Sequence, residues 1–327
     1  MKRFTAFLWP LVGLAAVILS FYLLLTDQSL DRLTAREIYQ SFKEISPLGY
    51  GFAACATLIA YAALAWYDRI ALAHLGHKLS WLFISLVSFT TYALSHNIGA
   101  SVFSGAVVRY RAYSTKGLSI AEIGLLVAFC SFTFALGTLL VGGLVLVFEP
   151  GITRRMLYGV SHILVGTARL RLVGEAMLAF VALYIAGSVF RLRPLVVGRF
   201  QLAYPRIGIV LRQLAAGPLE LLGAAGIIYF ALPQAGNPGY FIVLAAFLGS
   251  FSAALLSHAP GGVGVLELVF LKAMPGLPPA KVLAALIIFR VLYLIVPLIF
   301  AIGVVILFER GRLAEALRAA RQRGPSP

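Results

Sequence analysis

Ser88-Phe89-Thr90-Thr91-Tyr92-Ala93-Leu94-Ser95-His96-Asn97-Ile98-Gly99 returns, 162 residues later, as Ser250-Phe251-Ser252-Ala253-Ala254-Leu255-Leu256-Ser257-His258-Ala259-Pro260-Gly261. Six of the twelve positions are identical, and the offset is close to half of the 327-residue chain. Each copy lies inside a long apolar stretch, 80–108 and 240–271, that is broken midway by polar and turn-forming residues. Arms of about 15 residues are short for a hydrocarbon layer of about 30 Å. Irregular backbone at that depth survives only where protein or a wet cavity satisfies it. The reading that follows is a pair of broken, re-entrant hairpins, turned at Gly99 and Gly105 in the first copy and at Pro260, Gly261, Gly262 and Gly264 in the second.

The surrounding composition places these hairpins in a membrane. Apolar residues make up 61% of the chain, charged residues only 12%, and the mean hydropathy is +0.95. A soluble surface cannot be built from so few charges, and a disordered chain needs lower hydrophobicity. Six further apolar runs, 4–25, 47–67, 119–148, 172–190, 207–232 and 282–308, read as full spans. The expected fold is therefore an all-α polytopic membrane protein of about six spans plus two hairpins. Residues 68–79 read as a short loop, and 152–171 as an amphipathic basic connector. The organisation is a first repeat over 1–150, a connector over 151–171, a second repeat over 172–309 and a basic tail over 310–327. Cys55 and Cys130 both fall in apolar runs and read as small core hydrophobes.

The likeness extends beyond the hairpins, with Gly117-Leu118 matching Gly276-Leu277 and Phe148-Glu149 matching Phe308-Glu309. If each hairpin returns to its own side, each half crosses three times and the halves face opposite ways. Placing both termini in the cytoplasm puts 16 Lys and Arg on inside segments and 9 on outside ones, the sign required by the positive-inside rule. The net charge of +15 then reports orientation and attraction to anionic lipid rather than nucleic acid. Inverted repeats with paired broken helices are the signature of alternating-access transporters.

Ionisable groups within the apolar stretches are the candidate site, since each needs a partner or a cavity. Glu267 follows the second hairpin's glycines and Arg290 lies in the last span, so an ion pair between them is expected. A carboxylate suits a cationic headgroup; a guanidinium suits a phosphate. Glu220 and Arg212, eight residues apart, read as sharing a helix face. Arg109 and Arg111 close the first hairpin, as interfacial anchors or as a phosphate grip. His96 and His258 occupy equivalent positions beside the breaks, suited to bonding freed backbone groups or to a proton-linked switch, and Asn97 fits the same two roles. No metal-ligand cluster or catalytic motif accompanies them, so no cofactor, no metal and no enzymatic activity are expected.

Pro260-Gly261-Gly262-Val263-Gly264-Val265-Leu266-Glu267 and Gly105-Ala106-Val107-Val108-Arg109-Tyr110-Arg111-Ala112-Tyr113 resemble the flippase-like transmembrane domain of the lysylphosphatidylglycerol synthase/flippase family, over nearly the whole chain. The resemblance implies an inner-membrane lipid translocase with membrane lipids as partners. The family's two-domain members append a soluble aminoacyl-transferase domain that has no counterpart before Pro327, so lipid aminoacylation is not expected. A small-solute or ion carrier and an intramembrane enzyme remain as alternatives, and self-association is left open.

Overall fold

The computed structural model describes residues 34–98, 101–161, 165–191, 195–197, 200–202 and 204–322. The expected span 4–25 and the turn residue Gly99 lie outside them. Among the described residues the chain forms α1 (Ala35–Glu44), α2 (Pro47–His74), α3 (Trp81–Ile98), α4 (Ser101–Tyr113), α5 (Ile120–Phe148), α6 (Pro150–Ser161) and α7 (Thr167–Val189). A two-stranded antiparallel ribbon follows, β1 (Leu195–Val197) with β2 (Phe200–Leu202). Then come α8 (Ile207–Ala231), α9 (Tyr240–Ser257), α10 (Val265–Ala273), α11 (Pro279–Arg290) and α12 (Val296–Gln322), the last two joined by a π-helical turn over Val291–Ile295.

Among the described residues six helical stretches are long and apolar enough to cross a membrane: α2, α5, α7, α8, α9 and the run Pro279–Arg310. The fold is an all-α polytopic membrane protein. Local sequence starts these helices. Thr34 and Glu37 form a capping box on α1, Ser46 caps α2 ahead of Pro47, and Ser119 with Glu122 boxes the start of α5. Each device satisfies amide groups that a helix N-terminus leaves open.

Lipid tails are as apolar as leucine, so packing between the helices depends on close backbone approach. A Cβ on Gly137 of α5 would lie 2.5 Å from the Gly217 carbonyl carbon of α8, and one on Gly223 of α8 would lie 2.8 Å from the Ala60 amide nitrogen of α2. Gly143 of α5 and Gly174 of α7 meet in the same way. These contacts put α8 at the centre of the bundle.

Ion pairs mark the two ends. At one end His77 Nε2 lies 2.8 Å from Glu122 Oε1, and Arg111 Nη1 lies 2.8 Å from Glu309 Oε1. At the other, Lys281 Nζ lies 2.8 Å from Glu44 Oε2, beside Ser41 and Pro233. The 28 residues of α2 hold these ends about 42 Å apart at 1.5 Å per residue. Helix α3 leaves the His77 end, α4 packs along it, and the chain returns to that end at Arg111. Helix α9 follows Pro233 at the Glu44 end, α10 packs along it, and the chain returns at Lys281. The two broken segments thus fold back on themselves from opposite ends.

Several local expectations change. Residues 68–79 are not all loop: α2 continues to His74 and Asp68 is completely buried. The arms are unequal, 18 and 13 residues in the first hairpin and 18 and 9 in the second. The connector forms α6, and the following span begins at Thr167 rather than 172. The basic tail from 310 continues α12 as helix to Gln322.

Candidate functional site

The tip of the second hairpin is built from residues in left-handed backbone. His258, Gly261, Gly262 and Gly264 have φ of 54°, 59°, 64° and 82°, a conformation that the three glycines adopt at little steric cost. The turn exposes its carbonyls, and Arg290 collects them. Its Nη1 donates to the Gly261 carbonyl at 2.9 Å and its Nη2 to the Gly262 carbonyl at 3.2 Å. Its Nε donates to Glu267 Oε1. Glu267 Oε2 accepts from the Gly264 amide at 2.8 Å, closing the start of α10. The expected Glu267–Arg290 pair is therefore present, and it also splints the broken backbone. Both side chains keep some exposure, 14% and 18%.

Immediately after Arg290 the helix widens into the π turn, which leaves carbonyls free for side chains. Asn97 Nδ2, at the tip of the first hairpin, donates to the Leu294 carbonyl at 3.1 Å and to its own Ala93 carbonyl at 2.8 Å. Tyr61 OH of α2 donates to the Tyr293 carbonyl at 2.9 Å. The His96 ring stacks on Tyr293 with centroids 5.4 Å apart, and the tilted Tyr92 ring lies 5.7 Å from it. The His96 carbonyl oxygen would lie 3.9 Å from a Cβ on Gly261. The two hairpin tips consequently meet beside Arg290.

His258 does not mirror His96. Its ring is exposed, with Nδ1 2.9 Å from the Leu256 carbonyl oxygen. Pro260 opens the 3₁₀ turn that carries Gly261 and Gly262. Gly105 serves packing in the first hairpin, where a Cβ would come 3.1 Å from Thr91 Cγ2. Glu220 is buried at 2% exposure and accepts from Tyr293 OH at 2.6 Å. Arg212 is exposed, so the shared face expected for Arg212 and Glu220 is not formed. Eight residues of helix turn by about 800°, leaving the two side chains about 80° apart.

Arg109 corrects a second expectation. It does not face the bilayer surface but is 4% exposed and gripped by Asp68. Arg109 Nη2 donates to Oδ1 at 2.6 Å and Nε to Oδ2 at 3.2 Å. Tyr113 OH donates to Oδ2 at 2.8 Å, the Cys130 thiol lies 3.4 Å from Oδ1, and the guanidinium sits over the Tyr92 ring. Such a saturated, buried pair locks α2, α4 and α5 together and leaves Arg109 little capacity for a ligand. Arg111 is the exposed member of the two and pairs with Glu309. In the sequence Asp68 reads as the start of the loop over 68–79, because Arg69 follows it directly.

An inner membrane protein of Escherichia coli K12, YbhN, is 30% identical over 290 residues, covering 88% of this chain and 87% of its own. The chain belongs to the YbhN family. The Synechocystis protein slr0712, uncharacterised, is likewise 30% identical over 267 residues and 80% of each chain. A phosphatidylglycerol lysyltransferase of Staphylococcus haemolyticus is 24% identical over 257 residues, which cover 77% of this chain and 28% of that enzyme. No family model matches. With six stretches long and apolar enough to cross a bilayer among its described residues, this member of the YbhN family is a multi-pass inner membrane protein.

Proposed function

We propose that the chain is a lipid translocase, a carrier rather than an enzyme, which passes a phospholipid or aminoacylated phospholipid headgroup between leaflets while the acyl tails stay in the bilayer. The observation that carries this reading is the meeting of two hairpin tips, reaching in from opposite ends, at a partly exposed Arg290–Glu267 pair. In an inverted repeat the same pair can be approached from either leaflet as one half rocks against the other. Arg290 offers donors to a phosphate and Glu267 an acceptor to an ammonium group. The partial likeness to an enzyme named for phosphatidylglycerol supports a lipid substrate. The distribution of Lys and Arg supports cytoplasmic termini in this reading.

The test is headgroup transfer in proteoliposomes containing fluorescent phosphatidylglycerol or lysyl-phosphatidylglycerol, read by quenching from outside. Transfer above protein-free vesicles is expected. Glu267→Gln should reduce it about tenfold, the size of one lost charge-assisted bond. Transfer equal to that of empty vesicles with both lipids would overturn the proposal.

A further inference from the structure

Glu220 is the one site carboxyl with no cation beside it. Its Oε1 accepts from Tyr293, and its Oε2, although buried, has no hydrogen-bond partner among the described residues. None of the ion pairs among the described residues includes it. From α2 it is faced by Tyr61 and Tyr67, from the π turn by Tyr293, and beyond Tyr293 by His96 of α3. On helix α5 the Cys130 thiol lies 3.4 Å from Asp68 Oδ1. The Tyr184 hydroxyl of α7 is taken by Gln213, and on α9 that of Tyr240 is taken by the Leu222 carbonyl. The cations of α11, Lys281 and Arg290, are held by Glu44 and Glu267.

We propose that Glu220 is an exchangeable proton site that gears the two hairpins, so that lipid movement is coupled to proton movement; this rests on the translocase reading. The balance is simple: a carboxylate takes up one proton on Oε2 to become the neutral acid, and releases it on the other side of the cycle. The neutral form is the one this site accommodates, because an ionised carboxylate would be desolvated with one oxygen unpaired. Proton loss draws the Tyr293 hydroxyl more tightly to Glu220. Tyr293 lies in the π turn, three residues after Arg290, which holds the second hairpin, and one before Leu294, whose carbonyl holds Asn97 of the first. The π turn thus carries both the Glu220 bond and the hold on the first tip, next to the arginine that holds the second, so a change at Glu220 reaches both tips through one element. Pro218 two residues upstream removes a backbone hydrogen bond from α8 and eases a local bend.

Two measurements on the full-length protein in proteoliposomes test this. The first is difference infrared spectroscopy between mildly acid and mildly alkaline buffer. A carboxylic C=O band that appears on acidification should be absent in Glu220→Gln and shifted in Tyr293→Phe, a variant that keeps the ring and its stacking. No titrating band in the native protein, or an unchanged band in Glu220→Gln, overturns the proton site. The second is transfer of fluorescent phosphatidylglycerol under an imposed pH gradient. One proton per lipid should bias its distribution about tenfold per pH unit, and Glu220→Gln should remove the bias. Transfer that ignores the gradient in the native protein overturns the coupling while leaving the translocase reading intact. A Glu220 band in a protein that transfers no lipid overturns the translocase reading, and with it the coupling, while the proton site stands.

Discussion

Arg109 and Asp68 form a bidentate, fully buried ion pair across 41 residues of sequence, with the shorter bond at 2.6 Å. It joins the return arm of the first hairpin to α2, close to the end of the bundle marked by His77. The pair is a clamp, and its consequences are measurable.

Removing one partner leaves the other charged, buried and uncompensated. Asp68→Ala and Arg109→Ala should each lower stability by about 3–5 kcal/mol, read as a fall in melting temperature in detergent. The paired change Asp68→Leu with Arg109→Met should lose less than either single substitution, because no lone charge remains. Equal losses for the single and paired variants would show that packing, not charge pairing, dominates.

The exposed pair behaves differently. Arg111 and Glu309 have side-chain exposures of 58% and 42%, and such a contact contributes about 0–1 kcal/mol. Arg111→Ala should leave the melting temperature almost unchanged. A loss as large as that of Arg109→Ala would contradict the assignment of the clamp to Asp68 and Arg109.

At the second tip, Arg290 holds two carbonyls and a carboxylate in one plane-spanning fork. A lysine ammonium on a flexible stem cannot reproduce that geometry. Arg290→Lys should therefore suppress lipid transfer nearly as far as Arg290→Ala, while Glu267→Asp retains part of it. Full transfer by Arg290→Lys would mean that a bare positive charge is all the site needs.

Gly262 is strained for any side chain, with φ of 64° and a virtual Cβ 2.8 Å from Ala254 Cβ. Gly262→Ala should destabilise the hairpin by about 1–3 kcal/mol, measurable as faster proteolysis near 257–264. Gly276→Ala, in open space, is the control and should change neither proteolysis nor transfer.

The hairpin breaks and the Glu267–Arg290 pair were legible because their signals are local: helix-breaking glycines in an apolar run, and charges where lipid is expected. Asp68 was hidden because Arg69, His74 and Lys78 follow it, so it resembles the start of a loop; its partners Arg109, Tyr113 and Cys130 come from other helices. The unlike settings of His96 and His258 were equally hidden. Sequence equivalence fixes their place beside a break, whereas the Tyr293 ring that stacks on one of them comes from the last span. Glu220 and Arg212 show the limit of counting by helical spacing, since a face shared in sequence is still divided between core and periphery by the neighbouring helices.

The account depends most on the hairpins dipping in from opposite sides of the membrane. Single cysteines at Ser114 and Gly276, in a background of Cys55→Ala and Cys130→Ser, can be tested with a membrane-impermeant maleimide in vesicles of known orientation. Labelling of one from the inside and the other from the outside is the predicted result. Labelling of both from one side would contradict the inverted arrangement and remove the shared two-sided site.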